Sequence, residues 1–387
     1  MFAPITDSDL VREVLSEYPV FDGHNDLPIT ARGRYGEDPV AARIAEGNDA
    51  LHTDIPSLRA GGVGAQFWSV YVPSHLPEPE AVCQVLEQID FVYRLEKTYP
   101  DTFQIARTAA DIRSAWAAGR IASLMGAEGG HSIRESLGVL RMLRQLGVGY
   151  MTLTHNDNTT WAKSATGEDA DYGLTDFGRE VVREMNRIGM LVDISHVHED
   201  TMYDALAASS KPVIFSHSSC RDVANHPRNA PDGVLEALAA NDGVIMITFV
   251  PFFINEAAGE HWNASQAKRE ELGLRHPLKP EADGAPQLSR EAEAYETWLA
   301  ENPAPAVGID DVVTHVEHAR EVAGIDHIGI GSDFDGIPAG PEGLQRVSDY
   351  PRLFEALTAK GWSAQDLKKL ASGNILRVVE ASEVSSW

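Results

Sequence analysis

Basic residues are scarce in this chain. Its 387 residues carry 32 Lys and Arg against 58 Asp and Glu, a formal charge of −26. A groove that holds phosphates needs clustered Lys and Arg, so nucleic acid is excluded as a partner. An anionic membrane surface would repel the chain for the same reason. Cysteine is almost absent. Cys83 and Cys220 cannot build a disulfide framework and suit a reducing compartment. Cys220, three residues after His217, reads as a small buried side chain and not as a ligand. Long apolar runs are lacking too: no stretch approaches the roughly 20 residues a membrane span requires. The first ten residues have neither a basic start nor an apolar core, and the C-terminus is polar, so neither a signal peptide nor an anchor tail is expected. The expectation is a soluble, cytoplasmic protein. Internal repeats and low-complexity tracts are missing as well.

What is present is a recurring alternation. Short runs rich in Val, Ile and Phe cover Pro19–His24, Val63–Tyr71, Ile121–Glu128, Tyr150–His155, Met190–His196, Pro212–His217, Gly243–Val250 and His327–Asp333. Helical patterns fall between them, at Ala81–Tyr99, Ile133–Leu146, Asp176–Ile188 and Asp311–Val322. Thr175 or Asp176 can cap the third of these. Gly147, Gly189 and Gly324 each follow a helical stretch and precede a strand, as C-terminal capping glycines do. Strand and helix in turn signal βα units and a parallel sheet. Eight such units predict an α/β fold of the (β/α)8 type, a TIM-type barrel formed by residues 1–387 as a single domain. A doubly wound open sheet is the rival, but no Gly-rich phosphate loop follows the first strand. The polar, Pro-containing stretch Pro251–Pro305 is too long for an ordinary loop and predicts an excursion near the mouth of the barrel. Further helices between Tyr350 and Glu383 are expected on the barrel exterior.

The strands end in residues that bind metals or protons. The first gives His24 and Asp26, two apart and therefore on one face. Others end in Glu128, His155, His196, His217 and Asp333, the last followed by its same-face neighbour Asp335. A lone His after an apolar strand is more often a hydrogen-bonded core or rim residue than a ligand. Here six of the eight strands end this way, and chance would scatter such residues along the chain. In a barrel of parallel strands these ends converge on the mouth where barrel enzymes do their chemistry. His315 and His318 lie in a charged helical pattern and read as residues of a solvated outer face, and His198 is a weaker rival to His196. Imidazole and carboxylate donors without thiolates suit zinc, with manganese, iron or cobalt as alternatives. Three His, one Asp and one Glu are too many for one catalytic zinc with an open position. They suit two metals sharing a carboxylate.

Taken together, several stretches resemble the membrane (renal) dipeptidase family of binuclear zinc metallopeptidases. They are Phe21-Asp-Gly-His-Asn-Asp-Leu-Pro28, Gly64-Ala-Gln-Phe-Trp-Ser-Val-Tyr71, Gly126-Ala-Glu-Gly-Gly130, Leu153-Thr-His-Asn156, Asp193-Ile-Ser-His196, Phe215-Ser-His-Ser-Ser219, Gly331-Ser-Asp-Phe-Asp-Gly336 and Gly373-Asn-Ile-Leu-Arg-Val-Val379. The resemblance runs from about Pro19 to Glu380 and implies a soluble, bacterial-type member. It implies that His24 and Asp26 hold one zinc, that His196 and His217 hold the other, and that Glu128 bridges them. His155 would stabilise the substrate oxyanion, Arg228 would receive the terminal carboxylate, and Asp333 would shuttle the proton. The implied activity is hydrolysis of dipeptides by a hydroxide bridging two Zn2+ ions, in a homodimer. Alternatives on the same metal core are hydrolysis of another small amide, an N-acyl amino acid or a β-lactam, and non-catalytic metal-dependent binding. Unlike in the mammalian members, neither a signal nor a lipid-anchor tail is expected, and the disulfide cysteines of those members are missing from this sequence.

Overall fold

The computed structural model describes residues 4–274 and 290–384. Nine strands run in one sheet: β1 Val20–Asn25, β2 Val63–Ser69, β3 Phe103–Ile105, β4 Ile121–Glu128, β5 Val148–Thr152, β6 Leu191–Asp193, β7 Ile214–Ser218, β8 Val244–Ile247 and β9 Ile328–Ile330. All pairings are parallel. β1 pairs with both β2 and β9, and β2 also pairs with β4, so eight strands close on themselves. The predicted eight-stranded α/β barrel is the observed one.

The ninth strand is the difference. β3 pairs with the first residues of β4, Phe103 opposite Ile121, below the point where β5 begins to pair at Met125. It is three residues long and only Phe103 is fully buried, so it carries no readable apolar run.

β1, β2 and β4 are buried at every position. Barrel strands have side chains on one face and helices on the other, and for that reason read as continuous apolar runs. Two buried clusters follow from this. One, with Phe21, Phe67, Leu124, Tyr150, Ile214, Val244 and Met246, fills the barrel. The other lies largely between strands and helices. Gly126 has no side chain because the Tyr150 ring crosses the barrel there: a Cβ would stand 2.0 Å from Cζ of Tyr150.

The helix Asp176–Ile188 matches its predicted bounds, with the Thr175 side chain accepting from the Gly178 N–H and Gly189 closing it in the left-handed conformation. Pro251–Pro305 is helical over much of its described part, at Pro251–Ile254, Glu256–Glu271 and Arg290–Glu301; residues 275–289 of the stretch lie outside the described residues. The last helix, Asn374–Ser382, does more than coat the exterior. Its Ile375, Leu376, Val378 and Val379 join the cluster that fills the barrel.

Candidate metal centre

The polar residues sit on the last strand positions or on the turns just beyond them. His24, Glu128 and His217 belong to β1, β4 and β7, whereas His155, His196 and Asp333 each lie three residues past β5, β6 and β9. His196 and Asp333 adopt φ of 66° and 68°. A non-glycine residue in this left-handed region costs roughly 1–2 kcal/mol, a strain that clusters at functional sites. It turns the chain sharply off the strand.

The predicted residues come together. Nε2 of His24 lies 3.3 Å from Asp26 Oδ2, 3.5 Å from Glu128 Oε2 and 3.9 Å from Asp333 Oδ1. The other carboxylate oxygen, Glu128 Oε1, lies 3.0 Å from His196 Nε2, 3.5 Å from His217 Nε2 and 3.8 Å from His155 Nε2. Glu128 thus presents one oxygen to each half of the cluster, while the Ser69 hydroxyl donates to Oε2 at 3.1 Å. The Nε2 atoms of His196 and His217 are 2.9 Å apart. Three overlapping donor groups result: His24, Glu128 and His217; Glu128, His155 and His196; and His24, Asp26 and Asp333. Thr30 and Asp335 lie behind the last group, Thr30 donating to the Asp335 carbonyl at 2.8 Å.

Several donors are held from behind. Nδ1 of His24 meets the Tyr150 hydroxyl at 2.8 Å, and Nδ1 of His217 meets the Ser216 hydroxyl at 2.8 Å. Nε2 of His24 is buried without a hydrogen-bond partner. Burial opposes a proton there, yet the surrounding Tyr150, Glu128 and Asp26 raise the His24 pKa well above the usual range. The negative charge that favours a proton at this nitrogen favours a metal cation equally. Burial, with Arg228 and the other imidazoles adding to it, pushes His155, His196 and His217 well below the ordinary histidine range. Their lone pairs are therefore free at neutral pH, as ligation requires. Nitrogen and oxygen donors without sulfur fit zinc or a neighbouring divalent transition ion.

Around the cluster stand further buried polar and aromatic side chains. The His155 ring lies between those of Tyr71 and His196, at 4.6 and 4.4 Å. Arg228 is 2% exposed, its guanidinium 5.2 Å above the Phe253 ring. Nη2 of Arg228 reaches the His217 carbonyl at 3.5 Å, while Nε and Nη1 are buried without partners among the described residues. Burial lowers its pKa to about 10, so it stays charged. Burial, then Asp26, raises the pKa of Asp333 well above the usual carboxylate range.

Asp335 faces elsewhere. Its Oδ1 accepts from the His52 N–H at 2.8 Å, and its own N–H donates to His52 Nδ1 at 3.0 Å. His198 caps a helix, its Nδ1 accepting from the Asp200 N–H at 3.2 Å. His315 corrects the expectation of a solvated face: it is fully buried, bonded to the Cys220 N–H at 3.1 Å and the Ile254 carbonyl at 3.0 Å. Cys220 is buried and free, as expected. Tyr150, Ser216, Tyr71 and Phe253 are functional neighbours the sequence reading passed over, although each lies in or beside a flagged stretch.

The family model for membrane dipeptidase (Peptidase family M19) matches residues 8–386. The chain belongs to the membrane dipeptidase family. A Schizosaccharomyces pombe protein described as an uncharacterized dipeptidase is 40% identical over 384 residues, 96% of this chain and 82% of its own length. Among solved structures, a dipeptidase described as a metallopeptidase of family M19 is 26% identical, with TM-score 0.74, covering 94% of this chain and 98% of its own. A metallopeptidase from Rhodobacter sphaeroides, liganded with a phosphinate mimic of the dipeptide L-Ala-D-Ala, shares the fold at 24% identity and TM-score 0.75, covering 94% of this chain and 99% of its own. Family membership makes the chain a metal-dependent hydrolase of peptide bonds. Among the described residues no helix is long and apolar enough to cross a membrane.

Proposed function

We propose that this chain hydrolyses dipeptides at a centre for two zinc ions, with His24 and Asp26 holding one, His196 and His217 the other, and Glu128 bridging. The observation that carries the reading is Arg228, a buried guanidinium with two nitrogens unpartnered among the described residues, beside a cluster of metal-type donors. A buried charge without a partner is costly, and a carboxylate ligand removes that cost. Bound in the cluster, the ions would supply an activated water and polarise the scissile carbonyl.

The chain's own groups do the rest. Arg228 takes the C-terminal carboxylate of the substrate, which sets the distance from that carboxylate to the scissile bond and so restricts length. His155, packed between Tyr71 and His196, offers an N–H to the oxygen on which charge develops. Asp333 stands beside Asp26 and His24, within reach of the same space, and accepts the proton of the attacking water before returning it to the leaving amine. Asp335 is already engaged by His52 and does not serve. The cytoplasmic setting and the homodimer rest on composition and on family resemblance respectively.

The test is a panel of dipeptides, tripeptides and N-acyl amino acids, assayed with and without chelator. Chelator-sensitive turnover of dipeptides, and poor turnover of tripeptides, is expected. Preference for N-acyl amino acids would move the substrate class, and turnover untouched by chelation would overturn the metal centre.

A further inference from the structure

Two buried aspartates, Asp22 on β1 and Asp193 on β6, lie on strands that lead into the cluster, and among the described residues neither accepts a hydrogen bond from a basic side chain. Each holds a serine in the same way, Ser216 on β7 and Ser332 two residues past β9. Asp193 accepts the Ser216 N–H at 2.8 Å on one oxygen and the Ser216 hydroxyl at 2.6 Å on the other. Asp22 accepts the Ser332 N–H at 2.9 Å and the Ser332 hydroxyl at 2.7 Å. The two clamps differ in what lies beyond the serine. Past Ser332 Oγ is the His24 carbonyl, at 3.4 Å, whereas past Ser216 Oγ is Nδ1 of His217, at 2.8 Å.

We infer that Asp193 is a positioning residue which, through Ser216, fixes the tautomer of His217 and makes it a stronger ligand; this rests on the metal-centre reading above. The proton count supports it. A serine hydroxyl has one proton, and an ionised carboxylate only accepts. Asp193 is surrounded by donors: the Ser195 N–H at 3.0 Å, the Thr152 hydroxyl at 2.5 Å, and both groups of Ser216. The Ser216 proton therefore points at Asp193. Its oxygen must then accept from Nδ1–H of His217, which leaves Nε2 bare and aimed at Glu128 and His196. A carboxylate reached through a hydroxyl raises the basicity of the imidazole as a direct carboxylate partner does.

The other histidines lack this. Nδ1 of His24 meets the Tyr150 hydroxyl, which can pass its own proton only to the Gly23 carbonyl, at 3.3 Å. Nδ1 of His196 is buried with no partner. Among the described residues the three imidazoles are thus backed by a carboxylate, by a neutral phenol and by no hydrogen-bond partner, the first and the last within one half of the centre. Ser216 gives His217 an advantage over His196 within that half.

The experiment measures zinc retained, and zinc affinity against a competing chelator, in wild type, Ser216→Ala, Asp193→Asn and Ser332→Ala. Loss of such a partner typically costs 10–100-fold in affinity. Ser216→Ala should weaken one of two zinc ions by that factor. Ser332→Ala removes an equivalent buried clamp with no imidazole behind it, and should lower melting temperature while keeping both ions. Nitrogen NMR of the metal-free protein at neutral pH should show His217 protonated at Nδ1 in wild type and as a tautomer mixture in Ser216→Ala. Should Asp193→Asn fail to fold, Ser216→Ala still decides. Wild-type zinc affinity in Ser216→Ala, or an equal loss in Ser332→Ala, overturns the relay. A wild-type chain that never holds two zinc ions, or His217→Ala with unchanged zinc, overturns the metal centre instead.

Discussion

Replacing Arg228 by Met separates substrate recognition from folding. The guanidinium is buried, rests on Phe253, and donates only a long bond to the His217 carbonyl. Met preserves much of the side-chain volume and removes a buried charge that has two nitrogens unpartnered among the described residues. Replacing buried charge by apolar volume is often neutral or stabilising, so the melting temperature should hold or rise. Binding is another matter. Hydrogen bonds to charged groups are worth about 1.5–3 kcal/mol. At about 1.4 kcal/mol per factor of ten, kcat/KM for a free dipeptide should fall by roughly one to two orders of magnitude. The comparison substrate is the corresponding dipeptide amide, which lacks the carboxylate. It should be a poor substrate of the unmodified protein, and the substitution should change it little. Equal losses on acid and amide, or a melting temperature that falls with activity, would show that Arg228 supports structure and not the carboxylate.

Other groups give separate tests. Glu128→Gln should lower metal occupancy in both halves of the centre, because its two oxygens face His24 on one side and His196 and His217 on the other; elemental analysis showing loss of one ion alone contradicts the bridge. Asp333→Asn should keep its metals and lose about 10²–10⁴-fold in turnover. Asp335→Ala should keep turnover and lose stability instead, since it removes the acceptor of the His52 N–H, and the reverse pattern would exchange the two roles. His315 supplies a pH test. Burial depresses its pKa from 6.5 to about 4, so between those values the unfolded chain binds the extra proton. Stability should therefore fall as pH drops from about 6.5 towards 4, by up to roughly 3 kcal/mol at about 1.4 kcal/mol per pKa unit. Urea unfolding at pH 7 and pH 4.5 should show a smaller difference in His315→Gln than in the unmodified protein.

What made the site legible was contrast. A polar residue at the end of an apolar run violates the pattern of its strand, so His24, Glu128 and His217 stood out, and the barrel topology brought them to one mouth. The groups that hold them gave no such contrast. Tyr150 begins a strand run and reads as core; its partner is 126 residues away and is reached only because Gly126 leaves room for the ring. Ser216 and Asp193 meet through the register of β6 against β7, which pairs Asp193 with Ile214 and which no local pattern encodes. His315 misled for the same reason in reverse. Its neighbours Glu317, His318 and Arg320 look like a solvated face, yet the turn at Ile254 and the chain at Cys220 cover this one side chain and take both of its nitrogens. Local pattern records which side chains are out of keeping with their element. It does not record what the remainder of the fold lays over them, and in this chain that covering supplies the hydrogen bonds that orient His24 and His217.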